Sequence, residues 1–131
     1  MSLFGKSEEK AAEDEAAAAE AERLQSLSAA ELAVILMPAF GPEGPKPGSY
    51  LNQLQIGMWL MSSFPRGTKY IKDLRESIME GLQDLENSGL IVGRSRGGTA
   101  SLLKATRLGE EAIAEGTVEK YLRGPAAPNP G

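Results

Sequence analysis

Apolar side chains recur at three- and four-residue intervals through most of this chain, the spacing of one face of a helix. A short β-branched run near residue 90 interrupts that pattern. Ser28-Ala-Ala-Glu31 has the form of a capping box, in which a serine hydroxyl and a glutamate satisfy the free N–H groups of a helix start. The helix it opens carries Leu32, Ile35 and Leu36 and should end or kink near Pro38, whose ring disrupts a helix interior. Residues 41–48 (GPEGPKPG) read as a rigid, extended connector. Ser49 then caps a predicted helix over Tyr50–Ser63. Its inward residues are Leu51, Leu54, Met58 and Met61, with Ile56, Trp59 and Leu60 widening the stripe. Trp59 is assigned to the core or a dimer contact, and Met58, Met61 and Met79 to core filling.

Pro65-Arg66-Gly67 breaks the chain. Thr68 caps a short predicted helix, Lys69–Arg75, with Ile71 and Leu74 inward. Ser77-Ile-Met-Glu80 forms a second capping box and opens a helix to about Asn87, with Ile78, Leu82 and Leu85 on one face. Gly89 stops that helix, since glycine tolerates the left-handed conformation that ends many helices. Leu90–Val92 reads as a strand, Gly97-Gly98 as a hairpin turn and Ser101–Ala105 as the return strand. Thr106 caps a final helix, roughly Arg107–Leu122, with Leu108, Ala112 and Ile113 inward and Gly116 a candidate break. The fold class is mainly α with a small β-hairpin, that is, α+β.

The ends differ from this body. Residues 7–27 are nearly all Ala and Glu, strong helix formers without a wide apolar stripe. Residues 1–27 therefore read as an acidic arm, either a solvated helix or disordered. A sharper alternative is a helix that completes a dimer interface, anchored by Leu24 and Leu27. The body spans 28–123, and 124–131 (GPAAPNPG) reads as a disordered tail.

Composition narrows the chemistry. The chain has no Cys and no His. That removes disulfides, thiolate nucleophiles, Cys-based zinc sites and the commonest general base near neutral pH. No phosphate loop, G-x-S-x-G or supported S-x-x-K motif is present, so a nucleophile–base pair cannot be named and a non-enzymatic protein is expected. Asp73, Glu76, Glu80 and Asp84 recur at helical spacing; they read as a solvated acidic face rather than a metal site, and no metal or cofactor is expected. Met1–Lys10 lacks an apolar core of a secretory signal, and Leu32–Phe40 is far shorter than the ~20 residues a membrane span needs, so a cytoplasmic protein without membrane attachment is expected. The net charge is −4, but residues 1–27 hold three basic and seven acidic side chains, so the rest of the chain is balanced. Residues 94–107 hold four basic side chains and no acidic one, a local positive patch on a neutral body.

Leu85-Glu86-Asn87-Ser88-Gly89-Leu90-Ile91, the basic turn Arg94–Thr99 and Ala105-Thr106-Arg107-Leu108-Gly109 follow one another at a spacing that resembles winged helix-turn-helix transcription regulators of the MarR/PadR type. The resemblance covers about residues 50–115. It implies a recognition helix over Ser77–Asn87 for the major groove and a wing over Arg94–Thr99 for phosphate or minor groove. With Ile78, Leu82 and Leu85 inward, the outward face of that helix is Ser77, Glu80, Gln83, Asp84 and Asn87, which would face DNA, with Gln83 and Asn87 suited to read adenine. Arg94, Ser95, Arg96 and Thr99 would form the wing contact. Lys104 and Arg107 would add phosphate contacts, and Lys69, Lys72 and Arg75 would offset Glu80 and Asp84 on the outward face. The implied partner is double-stranded DNA, bound by a homodimer. The alternative is a winged-helix protein-interaction module without sequence-specific DNA binding, reaching a protein partner through the acidic N-terminal arm.

Overall fold

The computed structural model describes residues 3–96 and 99–123. Its elements are α1 (Leu3–Gln25), α2 (Ala29–Leu36), α3 (Gln53–Leu60), α4 (Ile71–Asn87), β1 (Ile91–Arg96), β2 (Thr99–Ala105), α5 (Arg107–Glu115) and α6 (Val118–Arg123). The result is mainly helical with one antiparallel hairpin, in a winged-helix-like arrangement.

Local chemistry explains most boundaries. Ser28 caps α2 in a complete capping box: Glu31 N–H donates to Ser28 Oγ, and Ser28 N–H donates to Glu31 Oε1. At Pro38 the helix tightens into a 3₁₀ turn, Met37–Phe40. Gly89 ends α4 at φ +79, and the Leu90 N–H returns to the Leu85 carbonyl. Thr106 caps α5 through its hydroxyl, and Gly116 at φ +69 separates α5 from α6. The hairpin strands are longer than the sequence pattern predicts, and β1 and β2 slip in register between Arg94 and Ser95. The expected turn at Gly97-Gly98 and the tail 124–131 lie outside the described residues.

Three expectations are corrected. The short helix 69–75 and the capped helix 77–87 are one continuous helix, α4. Leu74, Ile78, Leu82 and Leu85 run along its buried side without interruption, so Ser77 is an interior residue and caps nothing. The connection from α3 to α4 is residues 61–70, which end in a 3₁₀ turn, Gly67–Tyr70. Second, α3 starts at Gln53, capped by Asn52 with Gln55 completing the box, so Ser49 is not its cap. Leu51 lies outside it and forms a β-bridge with Leu103, adding a one-residue third strand beside β2. Third, α3 buries Ile56 and Gly57 rather than Leu54 and Met58, which are 60% and 47% exposed. Met79 is likewise exposed, at 51%, while Met61 is core.

The core holds Leu32, Leu36, Met37, Leu51, Ile56, Leu74, Ile78, Leu85 and Leu90, all fully buried. Trp59 packs partly against it and donates Nε1–H to the Glu43 carbonyl. The alanine-rich α1 is part of this body. Ala17, Ala21 and Leu24 are buried, and small side chains let it lie close beside α4. Leu24 is 0% exposed and Leu27 packs against the core, so both anchors expected for a dimer are occupied within their own chain.

Candidate nucleic-acid interface

Continuity of α4 changes which side chains share a face. At about 100° per residue, its buried line leaves two exposed stripes straddling the outermost edge. One is Lys72, Arg75, Met79 and Gln83; the other is Asp73, Glu76, Glu80 and Asp84. The first leans toward α3, where Gln53 Nε2 donates to the Arg75 carbonyl. The second leans toward α1, where Gln25 Nε2 donates to the Asp73 carbonyl. Among the described residues, neither Lys72 nor Arg75 has an ion pair. Gln83 donates to Asn87 Oδ1 at 3.0 Å, which aligns two exposed amides one turn apart. Ser77 is half-buried and on neither stripe. Glu86 sits at the hairpin end of the basic side, its Oε2 3.2 Å from where a side chain at Gly93 would begin. No group of three or more carboxylates among the described residues is arranged to hold a metal ion.

The hairpin contributes a second cationic surface. Leu51 N–H donates to the Leu103 carbonyl at 2.7 Å and the Leu103 N–H returns to Leu51 at 2.8 Å. Strand alternation sets Leu103 toward the core and Lys104 to the opposite face, with Val92 and Arg94 of β1. Tyr50, the residue before the bridge, lies on that outer face. Arg94 Cζ and Lys104 Nζ are each 5.5 Å from its ring centre. Sequence reasoning picked out both cations and missed Tyr50; its signal was only adjacency to a core leucine. Ser95, Arg96 and Thr99 pair in the hairpin backbone, Ser95 with Ala100 and Arg96 with Thr99, and their side chains lie outside the described residues.

Two further basic residues are engaged elsewhere. Lys69 Nζ lies 2.6 Å from Asp14 Oδ1 of α1, and the Tyr70 hydroxyl donates to the same oxygen at 2.9 Å. The Lys69 ammonium, then the Tyr70 hydroxyl, hold the Asp14 carboxyl below its ordinary range. The bond to Asp14 in turn pushes Lys69 up, while burial first and Asp14 second raise the Tyr70 phenol. Arg66 Nε is 3.9 Å from Glu13 Oε1, close enough to be attracted and too far to hydrogen-bond. Arg107 opens α5 and, though 94% exposed, pairs with Glu111 one turn on. The sequence-predicted set therefore divides. Lys72, Arg75, Gln83 and Asn87 gather on α4, and Arg94 and Lys104 gather around Tyr50. Lys69 is tied to the acidic helix, and Arg107 to a carboxylate of its own helix.

Comparison with protein-family models, curated proteins and solved structures gave no match. No helix among the described residues is long and apolar enough to cross a membrane.

Proposed function

We propose that this chain is a DNA-binding regulator of the winged-helix type, resembling the MarR/PadR group, that acts in the cytoplasm as a homodimer. The observation that carries the reading is the unbroken α4, which sets Lys72, Arg75 and Gln83 on one exposed stripe with no ion pair among the described residues. A single exposed helix beside a hairpin suits the docking in which the helix enters the major groove and the wing meets the backbone. Gln83 and Asn87 supply the amide chemistry that reads adenine, and Arg75 the guanidinium that reads guanine or phosphate. Arg94 and Lys104 on the hairpin supply sequence-independent phosphate contacts. Because Leu24 and Leu27 are occupied, pairing of two copies uses a surface other than the inner face of α1.

Duplex DNA titration at two salt concentrations tests the proposal, with sedimentation reporting the number of copies bound. Lys72→Ala with Arg75→Ala, and separately Arg94→Ala with Lys104→Ala, should each weaken binding about tenfold or more and reduce the log–log salt slope by about one for each phosphate no longer neutralised. Parent-like affinity in both double variants, or no duplex binding by the parent at low salt, defeats the reading.

A further inference from the structure

Two of the four large apolar side chains exposed among the described residues, Leu54 and Met58, line one groove. Both project from α3, and Met79 lies one turn beyond Arg75 on α4; the fourth, Val92, is on the hairpin. Between α3 and α4 runs a groove of about 510 Å³, floored by Leu54, Met58, Ile71 and Ile78 and rimmed by Lys72 and Arg75. Single exposed apolar residues are ordinary, but a cluster around a groove marks a docking surface. One of the two is a methionine, whose flexible thioether adapts to a partner's side chains.

We propose that this groove takes an acidic amphipathic helix from a partner protein. An apolar floor accepts a row of anchors at i, i+3 or i+4, and i+7. Lys72 and Arg75 stand along the rim, so the favoured helix carries Glu or Asp beside its anchors. The acidic helix of a second copy is not the occupant. Over the described side chains of α1, residues 8–25, the large apolar residue is Leu24, buried with Ala17 and Ala21 against its own chain, and what is left outward is alanine and polar or charged groups. Capture of a helix here does not require that the chain bind DNA. Occupation would cover Lys72 and Arg75, so peptide and duplex would compete wherever both bind.

The test uses the full chain and a fluorescein-labelled helical peptide with leucines at i, i+4 and i+7 and glutamates beside them. A second peptide replaces those glutamates with lysines. Binding is read by fluorescence anisotropy, and duplex DNA is titrated separately. The glutamate peptide should bind and the lysine peptide should not. Leu54→Glu with Met58→Glu should weaken the glutamate peptide about tenfold or more, since both anchors contact it through apolar surface. Circular dichroism reports the fold of that variant. Lys72→Glu with Arg75→Glu should transfer preference to the lysine peptide, an outcome independent of whether the first variant folds. Equal binding of both peptides, binding unaffected by either double variant, or no peptide binding overturns the proposal. Loss of duplex binding in Leu54→Glu with Met58→Glu, with no peptide bound, would assign the groove to nucleic acid and overturn it as well.

Discussion

Gly109→Ala puts a methyl group where the first turn of α5 meets the backbone at Leu90, just before β1. Gly109 is buried in the first turn of α5, and its N–H donates to Thr106 Oγ1 at 3.0 Å. A Cβ there would overlap the Leu90 carbonyl oxygen and come within 2.9 Å of Met37 Cε. The methionine end can swing away. The carbonyl cannot, because it already accepts the Thr106 N–H at 3.0 Å and lies 3.2 Å from the Thr106 hydroxyl. Relief requires lifting α5 off the hairpin base. Overpacking of this kind costs about 3 kcal/mol, and alanine's better helix propensity offsets about 1 kcal/mol. The net loss of about 2 kcal/mol corresponds to a fall in Tm of about 8 °C for a chain of this size. Gly116→Ala is the control. Its φ is +69 with nothing within 4 Å of the added methyl, so only backbone strain of about 1 kcal/mol applies. Thermal unfolding followed by circular dichroism decides. A Gly109→Ala melting point within about 3 °C of the parent, or above that of Gly116→Ala, would show that the two backbones do not approach in this way.

Leu24→Ala should cost about 2–5 kcal/mol in urea unfolding, because a fully buried side chain leaves a cavity; a change under about 0.5 kcal/mol would mean α1 is not docked on α4. Docking of α1 should also depend on pH. Asp14 has a depressed folded pKa, so its contribution is present above its unfolded value near 4 and is lost as pH falls through the folded value. Lys69 and Tyr70 have raised values, so theirs is present below about pH 10 and is lost as pH rises through the folded values. The stability difference between the parent and Asp14→Asn should therefore be present at pH 7 and vanish in strong acid; a difference that stays constant across pH would rule this out.

The features legible in the sequence are the ones settled within a few residues. Ser28 with Glu31, Thr106 and Gly89 each act on backbone groups next to them, and each stands where the pattern puts it. Residues 85–91 and 105–109, set apart in the sequence, also meet in space. Thr106 Oγ1 donates to the Gly89 carbonyl at 2.7 Å, and Gly109 lets α5 meet Leu90, so the two segments form one clamp at the hairpin base. Longer-range choices were harder to read. Ser77 with Glu80 imitates a helix start, but the apolar line Leu74, Ile78, Leu82, Leu85 passes straight through and a core-facing stripe outweighs a cap. In α3 nearly every position is apolar, so periodicity cannot say which side faces inward. Gly57 turns inward because a Cβ there would sit 2.9 Å from Ile71 Cγ2, and Leu54 and Met58 are left outside. The α3–α4 groove follows from this tertiary choice, and the place of Tyr50 from the bridge of Leu51 to Leu103. The docking of α1 was hidden for a different reason: its buried face is two alanines and one leucine, which in sequence resembles a solvated helix.

The two stripes of α4 have a consequence for orientation. One row of cations and amides and one row of carboxylates run side by side, about 100° apart around the axis. Turning the helix by that angle against a polyanion would exchange attraction at Lys72 and Arg75 for repulsion by the carboxylate row. Any highly charged surface that meets α4 therefore meets it at a defined roll, and that roll brings the Leu54–Met58 side to the contact and holds the α1 side away. Charge order on a single helix thus sets the direction of approach before any specific hydrogen bond has formed.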